Sequence, residues 1–493
     1  NASEPDSVFL RNHSLKVSLD ARSRVIPDTK ASNIVGKIQG TETDSMIVLS
    51  AHYDSYFSGF QDDNTAIALM FGIAKALLAS GFKPNNTIVI CAMAAEEWGV
   101  VDSNFDWSTG AYEQVFTAHP EWVGKVIADL NFELPALAHG TRARIRSCYE
   151  YTRFLEEYLS ELPDLTQAYP EETRVTSPIE TWSDDFSMAI AGIPSMVNDF
   201  TGGSFMETHY HSQFDNDEYY NADVFRFHHE LYGLLVMAFD RVKVAPVNVG
   251  RTLQALQESV RPVTGREDEK SIRVLLERTA EAKKIADEVY RKVKEINDVK
   301  NADAACCIHK GGQESHIEEK SEADGADEAE SATVQRGENA ADTEANDRNA
   351  ALQKQLLYLF RKCQDYFVRL NWHDEVLFPH EAAQSNLRHI GDAVRSLENR
   401  DVQGALDALY LVDNNQYAFQ FDDEVYHYFT EYVLNQDCDR LQWGAGRIVH
   451  HVDLSKEVKS LQKKIAEGRN DVSEELAALR KMEEEQLVCF DDD

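Results

Sequence analysis

The sequence predicts an α/β fold, with a mostly parallel but mixed sheet sandwiched by helices, and a helical domain after it. Between about residues 34 and 250, short β-rich segments alternate with helical patterns, which is typical of βαβ units with right-handed crossovers. After about residue 250, the apolar residues take helical spacing among many charges. We therefore expect two domains, at 1–250 and 251–493.

The α/β half contains four strands and one helix that the pattern alone places. The helix is the apolar run 65–81, which ends at a glycine, and the strands lie within 46–55, 85–95, 124–134 and 192–200. Ligands of such sheets collect at the C-terminal ends of the strands. The residues that follow these strands are therefore the first candidates for a functional site.

The helical half begins with an amphipathic helix over 271–296 and continues with further amphipathic helices from 350 onward. Between them, at about 301–349, the chain is acidic, rich in alanine and without aromatic residues. Such a segment cannot bury enough apolar area to offset the entropy that it would lose on ordering. We expect a disordered insertion there.

Composition and charge argue against several classes of partner. The 493 residues carry a formal net charge of −36, and phosphate binding needs clustered Lys and Arg, so we expect no nucleic-acid partner. No apolar run approaches the roughly 18 residues that a membrane span requires. The chain starts at Asn1 rather than Met, as expected if an upstream segment has been removed. These observations leave the compartment open.

Five polar segments, four after predicted strands and one just after the last strand, offer potential metal ligands. Each alone is a weak indication, because acidic residues abound in this chain and the histidines could be surface residues. Their order and placement strengthen the prediction, since they bring imidazole and carboxylate groups to strand ends. A site for two zinc ions needs this mix, with one carboxylate shared by cations about 3.5–4 Å apart. The candidates are His52 and Asp54, Asp62 and Asp63, Glu96 and Glu97, Glu133, and His209 and His211.

The motifs occur in an order that resembles a known family. The set HYDS, GFQDDN, AAEEWG, LNFE, SDDFSMAIAGIP and YHSQFD is similar to the co-catalytic di-zinc exopeptidases, the family of bacterial secreted aminopeptidases, glutamate carboxypeptidase and the inactive transferrin receptor. The resemblance covers roughly 33–240 and implies that 1–250 is a zinc exopeptidase-like catalytic domain. It also favours an extracytoplasmic location. The helical half has a general similarity to the dimerisation domain of the carboxypeptidase branch, which implies that a homodimer could form through it.

Carried over by position, the resemblance implies a set of ligands for two Zn²⁺ per chain. Asp63 is preferred to Asp62 as the shared ligand, because the family's bridging residue directly precedes an Asn, Asp or Pro, and Asn64 follows Asp63. The family usually has Asp where Glu133 stands, and the longer side chain can still reach a metal. The implied ligands are His52, Asp63 and Glu133 for one zinc, and Asp63, Glu97 and His211 for the other.

The resemblance also implies roles for the neighbouring side chains. Glu96, beside the ligand Glu97, would be the general base that takes the proton of the zinc-bound water and passes it to the leaving amine. Tyr210 matches a tyrosine that donates to the tetrahedral oxyanion in the carboxypeptidase branch, although a packing role in its loop fits equally well. Asp54, two residues after His52, would accept the other N–H of the imidazole.

Two segments bear on the choice of substrate. Arg142, Arg144 and Arg146 alternate as they would on a strand and could present a basic face to a substrate carboxylate. Solvated salt bridges are the favoured alternative for such a cluster. Asp185 replaces the histidine of a Ser-Asp-His segment at the pocket wall in the resembling enzymes, so substrate contacts could differ there.

The resulting hypothesis is a zinc-dependent exopeptidase that acts on a peptide or a small amide, most simply an aminopeptidase. A glutamate carboxypeptidase-like carboxypeptidase or dipeptidase is the alternative within the class. A glutaminyl cyclase-like transferase needs only one zinc, and the bridging Asp63 and the Glu96-Glu97 pair argue against it. A receptor-like binding protein would have lost metal ligands, whereas all five positions here carry side chains that can coordinate a metal.

Overall fold

A mixed seven-stranded sheet organises the α/β part of the protein. The computed structural model describes residues 30–41, 44–97, 108–200, 202–260, 266–308, 340–370 and 376–412, together with 459, 462 and 463. The strand order is β1-β3-β2-β4-β7-β5-β6. The strands are β1 Ile34–Ile38, β2 Met46–His52, β3 Thr87–Met93, β4 Val126–Asn131, β5 Arg144–Ser147, β6 Arg174–Thr176 and β7 Ser195–Asn198, and β8 Arg369–Leu370 pairs separately with β9 Val376–Leu377.

The four strands that the sequence predicts form the parallel centre of this sheet. β2 pairs in parallel with β3 and β4, and β4 pairs in parallel with β7, so their C-terminal ends meet at one edge. β1 runs antiparallel to β3 and β5 runs antiparallel to β7, while β6 is parallel to β5. The predicted fold class, mostly parallel but mixed, is confirmed.

Helices lie on both faces of the sheet, and further helices follow in the second half of the chain. The α-helices of the described residues are α1 Ala66–Ala79, α2 Thr109–Glu113, α3 Thr152–Ser160, α4 Asp185–Ala191, α5 Ser204–Thr208, α6 Ala222–Arg241, α7 Val249–Ser259, α8 Arg266–Ile308, α9 Ala340–Phe367, α10 Pro379–Glu398 and α11 Val402–Tyr410.

Every residue of β2 is buried, as expected of a central strand with helices on both sides. Successive side chains of a strand point to opposite faces. Accordingly, Leu49 lies in the core cluster that contains α1 and α6, and Val48 lies in the cluster that contains Met188 of α4. The strand ends that carry the predicted site residues are therefore held in a rigid core.

The helical half departs from the sequence prediction at the acidic segment. Helices α8 and α9 extend into both ends of the predicted insertion, so residues 301–308 and 340–349 are helical rather than disordered. Alanine, which is frequent in both stretches, has the highest intrinsic helix propensity. Residues 309–339 lie outside the described residues. Among the helices that the structure describes, none has the length and apolar character needed to cross a membrane.

The division of the chain at residue 250 falls inside a helix. Helix α7 packs on the α/β part, where the hydroxyl of Thr252 donates to buried Glu150 over 2.6 Å and the N–H of Asn248 donates to the carbonyl of Glu150 over 3.0 Å. Helix α9 packs against α4. Two separate domains and a dimer through the helical half remain predictions.

Candidate metal centre and active site

The predicted ligands come together at the C-terminal edge of the parallel strands. His52 is the last residue of β2, Glu96 and Glu97 follow β3, and Glu133 follows β4. His211 arrives from the segment between α5 and α6. The ligand atoms of His52, Asp62, Asp63 and Glu133 lie within 4.8 Å of one another, and so do those of Asp62, Glu97 and His211.

Asp62 lies between the two histidines of the centre. Its Oδ1 is 3.3 Å from Nε2 of His52, and its Oδ2 is 3.3 Å from Nε2 of His211. Asp63, which the sequence prediction placed in this bridging position, has Oδ2 3.9 Å from Nε2 of His52. Its Oδ1 accepts the backbone N–H of Leu134 over 3.1 Å. Asp62 therefore occupies the position between the two histidines. One carboxylate oxygen of Asp63 instead binds the backbone of Leu134, the residue after Glu133.

Glu133 is held from three directions. Its Oε2 lies 3.6 Å from Nε2 of His52, and its Oε1 accepts the hydroxyl of Ser183. Its backbone N–H donates to Oδ1 of Asn198 over 2.9 Å, and its carbonyl accepts Nδ2 of Asn198 over 2.6 Å. The longer side chain at this position therefore reaches the cluster, as the sequence prediction requires.

Glu97 and His211 form the more open side of the centre. Nε2 of His211 is 3.0 Å from Oε2 of Glu97, and the side chain of His211 is 39% exposed. The ring of Tyr210 stacks on that of His211 with centroids 3.7 Å apart, and the ring of Tyr56 lies at 4.7 Å. His209, the other candidate in this segment, has Nε2 3.3 Å from a carboxylate oxygen of Glu218 instead.

Asp54 lies beside the imidazole of His52 and also contacts the segment of the two glutamates. Nδ1 of His52 is 2.9 Å from the backbone carbonyl oxygen of Asp54, whereas it is 3.6 Å from the carboxylate. The carboxylate accepts the backbone N–H groups of Glu96 over 3.1 Å and Glu97 over 3.2 Å. The main chain thus makes the closer contact with the imidazole, and the carboxylate also holds the segment that carries the two glutamates.

Glu96 is buried next to the cluster, with its Oε2 3.9 Å from Nε2 of His52. Its Oε1 accepts the hydroxyl of Ser108 over 3.3 Å. Burial raises the pKa of Glu96 well above its usual range, and the carboxylate of Glu133 adds to the rise against the opposing charge of His52. A nearby cation would lower this pKa again and leave Glu96 ionised.

The charges of the centre compensate one another in part. Burial by itself lowers the pKa of both histidines, but the surrounding carboxylates outweigh it. The carboxylates of Glu133 and Asp63 raise the pKa of His52 well above its usual range, and those of Asp62 and Glu97 raise the pKa of His211 to about 9. For Asp62, burial acts to raise the pKa, yet the contacts with the two imidazoles bring it below its usual range.

The residues of this centre fit a metal site. Oδ2 of Asp63 and Oε1 of Glu97 are buried and have no hydrogen-bond partner among the described residues. Imidazole nitrogen and carboxylate oxygen are the donors that catalytic zinc sites use. Burial raises the pKa of four of the five carboxylates around the two imidazoles, and a bound cation would stabilise their ionised forms. The cluster is therefore compatible with metal binding.

The three arginines put forward for a substrate carboxylate all have acidic partners. Arg142 pairs with Glu171. Arg144 pairs with Asp199 over 2.9 Å, and Arg146 pairs with Glu180 over 2.9 Å. These pairs agree with the alternative interpretation, in which the arginines form salt bridges rather than a substrate site.

Asp185 lies at the start of α4 and is 1% exposed. Neither of its carboxylate oxygens has a hydrogen-bond partner in the part of the chain that the structure describes. Burial, together with the charge of Asp129, raises the pKa of Asp185 well above its usual range. A contact between Asp185 and substrate remains a prediction. The side chain is buried in this structure, and its carboxylate is without a hydrogen-bond partner among the described residues.

Sequence reasoning missed the residues that hold the ligand segments in place. Ser183, Asn198 and Asp215 each hydrogen-bond to a segment that carries a ligand. Each lies within or beside a recognised motif or a predicted strand, and that proximity is the only indication that the sequence offers.

Comparison with known proteins shows which family the region around this centre is similar to. Residues 33–235 match the model of peptidase family M28. The chain is 27% identical over 300 residues to a probable glutamate carboxypeptidase of Arabidopsis thaliana, a match that covers 55% of this chain and 40% of that protein. It is 30% identical over 105 residues to an aminopeptidase of Mus musculus, covering 20% of this chain and 14% of that protein.

Similarity to solved structures is more distant. A peptidase M28 precursor from Shewanella amazonensis aligns with a TM-score of 0.36 and 19% identity, over 48% of this chain and 47% of that chain. The matches to curated relatives span between 12% and 40% of those proteins' own length. The match of residues 33–235 supports the zinc exopeptidase family that the order of the sequence motifs implies.

Proposed function

We propose that this protein is a zinc-dependent exopeptidase with two zinc ions per chain, and that it is an aminopeptidase within that class. The observation that carries the proposal is the position of Asp62, whose two oxygens each lie 3.3 Å from a different histidine. A carboxylate placed in this way can be shared by two cations.

The two groups of ligand atoms define which residues would hold each ion. His52, Asp62 and Glu133 would hold one zinc. Asp62, Glu97 and His211 would hold the other. Asp62 thereby takes the bridging role that the sequence prediction gave to Asp63. When bound, zinc polarises the scissile carbonyl and brings the pKa of water down to about 7.

Side chains of the protein transfer the proton and stabilise the oxyanion. Glu96, ionised beside positive charge, accepts the proton of the attacking water and delivers it to the leaving amine. The contacts of its backbone and that of Glu97 with Asp54 keep it in place. Burial and the charge of Asp62 raise the pKa of Tyr210 above its usual range, so its hydroxyl retains a proton and can donate to the oxyanion of the substrate.

The charge of the centre favours a substrate with a free amine. Two zinc ions supply four positive charges, whereas the centre contains five carboxylates, namely Asp62, Asp63, Glu96, Glu97 and Glu133. Such a field attracts the ammonium group of a peptide N-terminus and repels a terminal carboxylate.

A glutamate carboxypeptidase-like activity is the second candidate, because the protein matched at 27% identity over 300 residues is a probable glutamate carboxypeptidase. That activity requires a cationic group for the terminal carboxylate of the substrate. The arginines Arg142, Arg144 and Arg146 are each engaged by an acidic residue, which weighs against this candidate.

Three versions of one peptide separate the candidates: unmodified, N-acetylated and C-amidated. We expect the zinc-loaded protein to release the first residue of the unmodified and amidated peptides and to leave the acetylated peptide intact. Release of the last residue from the acetylated but not the amidated peptide would establish a carboxypeptidase. Absence of hydrolysis for all three peptides, with zinc bound, would refute the exopeptidase proposal.

A further inference from the structure

Asp215 makes two hydrogen bonds that join separate segments of the centre. Its Oδ1 accepts the backbone N–H of Gln61 over 2.9 Å, and its Oδ2 accepts the backbone N–H of Asp62 over 3.0 Å. Asp215 is only 2% exposed, so water does not compete for these bonds. Charge-assisted bonds from two consecutive N–H groups to one carboxylate fix the orientation of the peptide between them.

Asp215 also belongs to the segment that carries His211. The N–H of Asp215 donates to the carbonyl of Ser212 over 3.1 Å, and the hydroxyl of Ser212 donates to the carbonyl of His209 over 2.7 Å. His211 itself has a φ of 55°, a left-handed conformation that is costly for a residue other than glycine and persists only where its surroundings impose it. The turn that ends at Asp215 is therefore part of what holds His211 in place.

We propose that Asp215 is a positioning residue that couples the two metal positions, an inference that rests on the proposed function. From the segment that carries His211, it holds the backbone of Asp62, the ligand that both metal ions would share. The 3.3 Å separation between Oδ2 of Asp62 and Nε2 of His211 thus depends on Asp215, which is not itself one of the proposed ligands.

The chain contains a matched control for this role. Asp240 of α6 is likewise 2% exposed, and its carboxylate accepts the backbone N–H groups of Asn85 over 3.0 Å and Asn86 over 2.7 Å. These two residues precede β3, at the opposite edge of the sheet from the centre. Asp240 makes the same pair of bonds without a metal ligand nearby.

The test measures zinc retention by the zinc-loaded, full-length protein in competition with a chromogenic chelator, and circular dichroism reports the fold. In Asp215→Asn, one amide N–H faces a backbone N–H, so one of the two bonds is lost. We expect this variant to lose affinity for at least one zinc by about 10- to 100-fold, the usual cost of losing a group that orients a metal ligand. Asp240→Asn should retain both ions as the wild type does.

A second variant, Asp215→Ser, removes the carboxylate without placing an amide N–H against a backbone N–H. Its zinc affinity tests the inference if Asp215→Asn does not fold. Unchanged zinc affinity in the folded Asp215 variants would overturn the inference, and so would an equal loss in Asp240→Asn. A wild-type chain that binds no zinc would instead overturn the proposed function, so the two failures are distinguishable.

Discussion

Asp129 in β4 gives the structure a pH dependence that can be measured. Its side chain is 0% exposed, Oδ1 accepts the hydroxyl of Ser50 over 2.8 Å, and Oδ2 has no hydrogen-bond partner among the described residues. Burial raises the pKa of Asp129 to about 7, against a smaller opposing effect of the Ser50 hydroxyl. The folded protein therefore keeps a proton on Asp129 at pH values where the unfolded chain has released it.

The sign and size of the effect follow from this difference. An Asp in an unfolded chain has a pKa of about 3.9, so between about pH 4 and pH 7 folding takes up one proton and a rise in pH destabilises the folded state. The slope is about 1.4 kcal/mol per pH unit. The stabilisation is complete below about pH 4 and is lost as the pH rises through about 7. Between pH 5 and pH 8, the wild type should lose about 3 kcal/mol through this group.

Asp129→Asn removes this proton while keeping an oxygen that can accept from Ser50. The assay is urea unfolding of both proteins at pH 5, 6, 7 and 8, with the same zinc concentration throughout. The free energy of unfolding of the variant minus that of the wild type should increase by about 3 kcal/mol from pH 5 to pH 8. A difference that stays constant over this range would refute the conclusion that burial keeps Asp129 protonated.

Four substitutions test the centre and the arginine cluster near it. Glu96→Gln should keep the zinc content of the wild type and lower kcat by about 10²- to 10⁴-fold, and a kcat near that of the wild type would contradict the general-base role. Asp62→Asn should lose more zinc than Asp63→Asn, measured by elemental analysis, and the reverse order would restore Asp63 as the bridging ligand. Arg144→Gln should change kcat/KM equally for free and C-amidated peptides, because Arg144 is paired with Asp199, and a selective loss for the free peptide would identify a carboxylate site.

The sequence is sufficient to predict the centre of the fold. The apolar runs that become β2, β3, β4 and β7 are long or bounded by clear turn residues, and buried parallel strands have this pattern. β1 and β6 are short strands at the edges of the sheet, and β1 is largely exposed. Partly exposed edge strands leave little hydrophobic pattern to detect.

The site was predicted at the level of segments rather than atoms. His52, Glu97, Glu133 and His211 meet as the order of the motifs implies. The choice between Asp62 and Asp63 depends on which way two adjacent side chains face, and only the backbone of the turn determines that. For the same reason, the sequence could not show that the carboxylate of Asp54 binds the backbone of the Glu96-Glu97 segment.

The zinc content of the purified chain, measured together with its peptidase activity, tests the central claim most directly. We predict two zinc ions per chain, loss of hydrolysis of the C-amidated peptide when a chelator removes them, and recovery when zinc is returned. Fewer than one zinc per chain, with no activity after zinc is added, would contradict the account.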